Sequence, residues 1–277
     1  MALEQGFRTM YMALLLSILV HGHRGARAVM PENTLPAFEY AIAAGADVLE
    51  LDLAVTKDDV LVASHDPTIN RTICTGPGEG SPAIRTLTYE QLQHWDCGEL
   101  RNPAFPRQTP VKWTRIPTLD QVLALAPRGR FEFNIETKIF ADHPEYTPTP
   151  ERFAQLLLEA IRRHRVESRV IVQSFDFRTL HAMKKIAPNI RLSALDETGR
   201  LDFVALAREA GARIVSPEKR LVTAEKVRAA HAAGLQVVPW TANTPEDWER
   251  LADAGVDAII SDDPARLISY LKRRGLR

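Results

Sequence analysis

The chain has 277 residues, 45% hydrophobic and 25% charged, with 35 Lys+Arg against 35 Asp+Glu. That length suits one large domain or two small ones, and the balance is ordinary for a globular protein with a sizeable core. A formal net charge of zero speaks against a nucleic-acid partner, which demands a basic excess, and no long like-charge run is present.

Arg8 precedes an apolar stretch from Met10 to Val20. It is too short to cross a bilayer as a helix, so no stable membrane insertion is expected. It has the length of a signal-peptide core, but no small-x-small cleavage site follows. Cleavage near Val20 would also remove the strand leading to His23. The stretch therefore reads as a first strand behind a leader or frayed terminus over residues 1–12, with a degenerate export signal as the alternative. Localisation, periplasmic or secreted against cytoplasmic, stays open on this ground, as does the oligomeric state.

The run 14–20 leads into His21-Gly22-His23-Arg24-Gly25-Ala26-Arg27, and Pro31-Glu32-Asn33-Thr34 opens a helix. Strand, polar loop, helix is where an α/β protein keeps its chemistry. Strands are predicted over residues 18–23, 48–53, 131–136, 170–174, 191–195, 213–216, 236–240 and 258–261. Helices are predicted over 34–44, capped by Asn33 or Thr34, and over 118–126, 151–163, 177–186, 201–210, 224–233, 245–254 and 264–272. Several helix ends read Ala-Gly before a short apolar strand, at Ala44-Gly45, Ala210-Gly211, Ala233-Gly234 and Ala254-Gly255. Glycine suits the left-handed position after a helix, and an apolar strand suits a parallel sheet covered on both faces. This repetition predicts a (β/α)₈ TIM barrel filling the chain as one domain.

Two segments break the repeat. After Asp52 the chain runs extended to Thr56, turns at Lys57-Asp58-Asp59 and returns over residues 60–65. So short a turn makes a hairpin, not a parallel crossover, and it returns His65 toward Asp52. Residues 66–117 then form an insertion after the second strand, with a small helix over 88–95, expected to cap the site. Cys74 and Cys97 lie within it. A reduced pair is the default expectation, and a disulfide bracing the loop would imply an oxidising compartment.

Glu50 and Asp52 sit two apart on one strand, hence on one face, while Leu49, Leu51 and Leu53 point to the helix layer. Glu136 ends the next barrel strand. Acids facing a barrel axis need compensation. Three carboxylates without a nearby cysteine predict one hard divalent cation, Mg²⁺ or Ca²⁺. The alternative is an ion-pair network with Arg24 and Lys138. His23 and His65 flank the acids as an acid–base pair. Arg24 and Lys138 supply positive charge for an anionic substrate.

The order of His23-Arg24-Gly25, Pro31-Glu32-Asn33-Thr34, Glu50-Leu51-Asp52, Thr56-Lys57-Asp58, His65-Asp66, Asn134-Ile135-Glu136-Thr137-Lys138, Gln173-Ser174-Phe175 and Trp240-Thr241 resembles the glycerophosphodiester phosphodiesterases. The resemblance runs from His21 to Pro264. It implies a (β/α)₈ barrel with metal ligands at Glu50, Asp52 and Glu136 and catalytic histidines at His23 and His65. It also implies phosphate contacts from Arg24 and Lys138, and an insertion that shapes the glycerol pocket. His23 is then the base and His65 the acid. The nucleophile is either water or the substrate's own 2-hydroxyl, the latter favoured because it is already held at high effective molarity. Two departures, Asp58-Asp59 for Asp-Gly and Ser261-Asp262-Asp263-Pro264 for Thr-Asp-x-Pro, are expected to leave the catalytic positions untouched.

Lesser expectations follow. Trp240 is either an aromatic platform for substrate or a core residue. Gln173 and Ser174 bond substrate hydroxyls or only each other's neighbours. Glu32 is a partner of His23 or a first-turn acid. His21 is structural, and His94, His143, His164, His181 and His231 lie on the surface. Lys184-Lys185 and Lys272-Arg273-Arg274 are solvated helix faces. The leading function is metal-dependent hydrolysis of small glycerophosphodiesters such as glycerophosphocholine or glycerophosphoethanolamine to glycerol 3-phosphate and an alcohol. A phospholipase-D-like enzyme for lysophospholipids is the second reading, with Phe105, Phe140 and Tyr146 as the residues of its apolar groove. A non-catalytic phosphoester-binding barrel is the third.

Overall fold

The computed structural model describes residues 17–277, so the leader expected over residues 1–12 lies outside the described residues. Eight parallel strands form the barrel wall: β1 (Leu19–Gly22), β2 (Val48–Val55), β4 (Glu132–Thr137), β5 (Val170–Ser174), β6 (Arg191–Asp196), β7 (Ile214–Pro217), β8 (Gln236–Val237) and β9 (Ala258–Ser261). β3 (Leu61–Ala63) folds back antiparallel on β2, pairing Leu53 with Ala63 and Val55 with Leu61. The hairpin expected after Asp52 is therefore present. Its turn holds Asp59 at φ 61°, the left-handed conformation that a glycine adopts freely and an aspartate tolerates.

The hydrogen-bonded order is β8-β7-β6-β5-β4-β2-β1-β9. Backbone bonds from Asp257 to Val237 (3.1 Å), Ile260 to Pro239 (3.0 Å) and Ala242 to Ile260 (3.0 Å) join the two ends. The barrel is thereby nearly closed. β8 is shorter than the predicted 236–240 because Pro239 has no N–H to donate.

Helices α1 (Leu35–Ala44), α3 (Leu119–Leu123), α4 (Pro150–His164), α5 (Phe177–Ile186), α6 (Phe203–Ala210), α7 (Ala224–Ala232), α8 (Pro245–Ala254) and α9 (Pro264–Arg273) surround the wall, and α2 (Tyr89–Leu92) lies in the insertion. A Thr or Asp side chain caps each of them, from Thr34 for α1 to Asp263 for α9. Each cap accepts one of the N–H groups that the first turn leaves unpaired, a contribution of about 1 kcal/mol. α3 stops short of the predicted residue 126, and a short 3₁₀ turn at Ala126–Arg128 containing Pro127 follows.

Three apolar cores result. The largest lies between wall and helices and includes Leu49, Leu51, Leu53, Phe133, Phe153 and Leu267. A second, inside the barrel, comprises Ile171, Ile214, Val238, Ala258 and Ile260, and plugs it from below up to Ile260 at the cleft floor. At the top of the plug lies a polar layer in which Ser193 and Ser216 share a 2.9 Å hydrogen bond and Asn134 donates to Gln173 at 2.8 Å. The third core belongs to the insertion: Ile69, Ile84, Leu92, Trp95 and Ile116 pack on Ala54 and Val62 of the β2–β3 hairpin. The default of reduced cysteines is corrected here. The antiparallel bridge between Thr75 and Asp96 brings the preceding and following residues together, and Cys74 and Cys97 form a disulfide inside this core.

Gly25 turns the chain out of β1 at φ +83°, and a Cβ there would stand 2.6 Å from the Ala37 carbonyl carbon. Gly25→Ala is expected to cost about 1–3 kcal/mol through backbone strain alone, and more through the clash. Denaturant unfolding of the variant checks this; an unchanged midpoint would show that the loop is free to reshape.

Candidate active site

The loop after β1 carries the site's first residues. Arg24 and Gly25 are consecutive left-handed residues, at φ 49° and 83°. This sharp turn aims the Arg24 backbone N–H at Glu50 Oε2, 2.8 Å away. Asn33, also left-handed at φ 55°, does not cap α1; Thr34 does. Asn33 instead turns inward, donating to Asp52 Oδ2 at 2.9 Å and accepting from the Asp52 N–H at 3.3 Å. The strain of a left-handed side chain is thus tied to holding one carboxylate.

Register brings the acids together. β2 and β4 pair with Asp52 opposite Glu136. Buried oxygens of Glu50, Asp52 and Glu136 lie within 4.8 Å of one another. Gln173 donates to Glu50 Oε1 at 2.8 Å, so its amide serves the carboxylate. Arg24 Nε stands 3.0 Å from Asp52, as an ion-pair contact, not an aligned hydrogen bond. Lys138 Nζ lies 2.8 Å from Glu136 and 3.3 Å from Asp52. The predicted cations therefore do meet the predicted acids. Glu32 is no partner of His23; it pairs with Arg24 at 2.6 Å and Arg27 at 2.7 Å.

The electrostatics follow. Burial opposes ionisation of Asp52, but Arg24 and Lys138 overcome it and hold this carboxyl well below its usual range. Burial, reinforced by the Asp52 charge, pushes Glu50 well above its own. Burial raises Glu136 to about 7, with Lys138 opposing and Asp52 adding. Burial disfavours both cations, yet the acids beside them raise Arg24 and Lys138 above their ordinary values. Three carboxylates so close cannot all ionise beside only two cations, so the metal-free cluster holds protons. A divalent cation is what the donor set fits: three hard oxygens, no sulfur and no ligating nitrogen.

Both histidines face this cluster, and each belongs to a relay that sequence reasoning missed. His23 Nδ1 lies 2.5 Å from Asp262 Oδ1, and Asn243 donates to Asp262 Oδ2 at 2.7 Å. His65 Nδ1 lies 2.8 Å from Asp66 Oδ1, and Asn70 donates to Asp66 Oδ2 at 2.8 Å. Asp262 is the aspartate that Ser261-Asp262-Asp263-Pro264 shares with Thr-Asp-x-Pro; the residue that departs, Ser261, turns its hydroxyl to Asn243 and not to the His23 ring. The available signal was position: Asp262 follows the last barrel strand at its carboxyl end. Burial lowers the pKa of His23, with Asp262 opposing, so its ring is held toward the neutral form. His21, deeper in the barrel, is lowered by burial to about 3 and meets Asn134 at 3.4 Å.

A cleft of about 260 Å³ opens over these groups, with His23, Arg24, His65, Glu136, Lys138 and Trp240 in its wall. Trp240 donates from Nε1 to the Ser216 carbonyl at 2.8 Å and meets the Phe175 ring edge-on at 5.5 Å. Phe175, Leu195 and Ile260 supply the remaining apolar wall. Phe105, Phe140 and Tyr146 are not part of it: Phe105 lies under the Arg27 guanidinium, and Phe140 packs on Tyr146. Ser174 bonds the Thr137 carbonyl. No residue of 66–117 lines the cleft. The insertion grips the loop after β1 instead, through Gln108 to the carbonyls of Arg27 and Met30 (both 2.9 Å) and Asn102 to Glu32 (3.3 Å).

Comparison with known proteins adds identity to geometry. The model of the glycerophosphoryl diester phosphodiesterase family matches residues 23–266. The chain is 35% identical to the glycerophosphodiester phosphodiesterase of Caldanaerobacter subterraneus, over 94% of its own length and 100% of that protein. It is 32% identical to that of Bacillus altitudinis, over 90% and 96%. A Silicibacter pomeroyi protein provisionally named a glycerophosphoryl diester phosphodiesterase superposes with TM-score 0.86 at 31% identity, covering 94% of this chain and 95% of that one. An Oleispira antarctica phosphodiesterase, solved with its product sn-glycerol-3-phosphate, shares the fold at TM-score 0.79 and 21% identity, over 92% and 97%.

Because the cluster holds protons when no cation is present, metal binding must release them. Burial raises Glu136 to about 7, so a proton on it competes with the cation increasingly as the pH falls through that value. Affinity for a divalent cation is expected to fall between pH 8 and pH 6, with proton uptake by the buffer on binding. Calorimetric titration in buffers of different ionisation enthalpy measures both; an affinity independent of pH would contradict this electrostatic account.

Proposed function

The chain belongs to the glycerophosphoryl diester phosphodiesterase family, and we propose that its cleft hydrolyses small glycerophosphodiesters such as glycerophosphocholine or glycerophosphoethanolamine to glycerol 3-phosphate and an alcohol. The observation that carries this reading is the convergence of two Asn–Asp–His relays on one three-carboxylate cluster in a single cleft. Charge supports it. Glu32 and Arg27 cancel, and Arg24 and Lys138 leave one of the three clustered acids uncompensated. A divalent cation held by Glu50, Asp52 and Glu136 would turn this cluster net positive, toward the negative charge of a phosphodiester. Bound there, Mg²⁺ or Ca²⁺ would act as a Lewis acid toward a phosphoryl oxygen.

The protein's own groups do the proton chemistry. Asp262 accepts the Nδ1–H of His23, which leaves Nε2 as the basic nitrogen; this nitrogen lies 3.9 Å from Glu50 on the cleft side. His23 is the base that takes the proton of the attacking hydroxyl. His65, oriented in the same way by Asp66, protonates the departing alkoxide. Arg24 and Lys138, both in the cleft wall, supply positive charge to the phosphate oxygens. Trp240, its ring fixed by the bond to Ser216, offers a flat face to the glycerol carbons. The insertion, by gripping the loop after β1, keeps His23 and Arg24 in place. We take the whole chain from β1 to α9 as one catalytic domain.

Release of alcohol from glycerophosphocholine, with and without EDTA, tests the reading. Activity is expected to vanish with EDTA and return with Mg²⁺ or Ca²⁺. His23→Ala and His65→Ala are each expected to lower turnover about 10²–10⁴-fold, with metal affinity retained. Full activity of the metal-free protein, or near-normal turnover of either variant, would remove that group from the mechanism.

The attacking hydroxyl is assigned to the substrate. The 2-hydroxyl of glycerol stands beside the phosphorus at high effective molarity, whereas a water must first be ordered. Attack closes a 1,2-cyclic phosphate and expels the alcohol, and water then opens the ring with the histidine roles exchanged. A 2-deoxy analogue should bind without being cleaved, and glycerol 1,2-cyclic phosphate should be turned over. Normal cleavage of the deoxy compound would leave direct attack by water.

A further inference from the structure

The two ends of the barrel carry opposite chemistry. The three clustered acids lie at the carboxyl ends of the strands, and the grooves at the amino ends are lined by more cations than acids. Three grooves of about 430, 430 and 520 Å³ run along that amino-terminal rim. The first two share Pro188, Asn189 and Ile190, and the last two share Arg191, so they form one continuous surface. Their walls hold Arg128, Arg130, Arg162, Lys184, Arg191 and Arg213 against Asp47, Glu132 and Glu167. Arg191 is paired with Glu132 at 2.8 Å, Arg128 with Glu39, and Asp47 is taken up by Arg277. Arg130, Arg162 and Arg213 are exposed and form no ion pair among the described residues.

Apolar side chains stand between these cations. Leu19 is 39% and Ile186 36% exposed, two of the four large hydrophobic residues that are exposed among the described residues. The chain also enters the barrel here, where the Ile18 N–H bonds Leu276 and the Leu19 N–H bonds Asp257. The sequence just before the described residues reads Met10-Tyr11-Met12-Ala13-Leu14-Leu15-Leu16. An apolar segment is therefore attached to the middle of a basic face that already exposes leucine and isoleucine.

We propose that this amino-terminal rim docks on an anionic phospholipid surface. Arginines free of carboxylate partners meet lipid phosphates, and the apolar side chains meet the acyl boundary. A single-stranded nucleic acid would stack on exposed aromatic rings, but Phe131 of this rim is buried; duplex nucleic acid has no acyl boundary to meet the exposed Leu19 and Ile186. Docking by this end turns the catalytic cleft, at the opposite end, toward water. On the reading given above, the enzyme then draws its substrate from solution and not from the bilayer.

Cosedimentation of the full chain with vesicles tests this. Vesicles of phosphatidylcholine with phosphatidylglycerol should bind it about tenfold or more tighter than pure phosphatidylcholine vesicles, and high salt should erase the difference. The double variant Arg130→Glu, Arg213→Glu should lose about tenfold of that binding, while its turnover of glycerophosphocholine in vesicle-free solution stays unchanged and shows that it is folded. Equal binding to both vesicle types, undiminished binding by the variant, or binding to duplex DNA in place of vesicles would overturn the proposal. The vesicle arm reads no catalysis, so its failure leaves the hydrolase reading standing, and failure of that reading leaves the docking result intact.

Discussion

Three carboxylates share one water-poor barrel mouth, and the surrounding structure is arranged to tolerate them. Packed so closely in a medium of low polarizability, like charges repel strongly, and each loses the hydration that would stabilise it. Nearly every polar group in the upper barrel answers this problem. Gln173 and the Arg24 backbone bond Glu50, Asn33 bonds Asp52, and Arg24 and Lys138 neutralise part of the charge. The compensation stops one charge short, and this residual deficit is what suits the cluster to a divalent cation.

The same constraint shapes the loop after β1. To donate to Glu50, the backbone must take two left-handed residues in succession, one of them Arg24. That strain is held in place from both sides. Inside, Glu32 clamps Arg24 and Arg27; outside, Gln108 and Asn102 of the insertion grip the loop. The insertion has its own core and its own disulfide, so it is stiff enough to serve as a buttress. None of its side chains lines the cleft, but Asp66 and Asn70 hold His65, Asn102 bonds Glu32, and Gln108 bonds the carbonyls of Arg27 and Met30.

Below the acids the barrel changes character by layers. Serines, Asn134, Gln173 and His21 form a bonded polar layer, and an apolar plug of five residues seals the barrel from below. The plug separates an acidic end with a cleft from a basic end with grooves. Chemistry and surface attachment can therefore occupy opposite faces without interfering.

The chain of amino acids by itself determined the barrel and the acids at its mouth. Short apolar strands behind capped helices admit few other architectures, and the two-residue spacing of Glu50 and Asp52 places both on one face whatever the rest does. The short turn at Lys57-Asp58-Asp59 likewise left only a hairpin, and the hairpin returned His65 to the site. What tertiary structure alone decided are contacts between residues far apart in the chain. Asp262 lies 239 positions from His23 and becomes its partner only because barrel closure sets β9 beside β1. Cys74 meets Cys97 because an antiparallel bridge inside the insertion aligns them, and cysteine spacing carries no trace of that bridge. The segregation of charge was hidden for the same reason. A balanced total says nothing about which end of a barrel each helix terminus and loop will occupy, and only the folded arrangement gathers Arg130, Arg162 and Arg213 on one rim and the three clustered acids at the other.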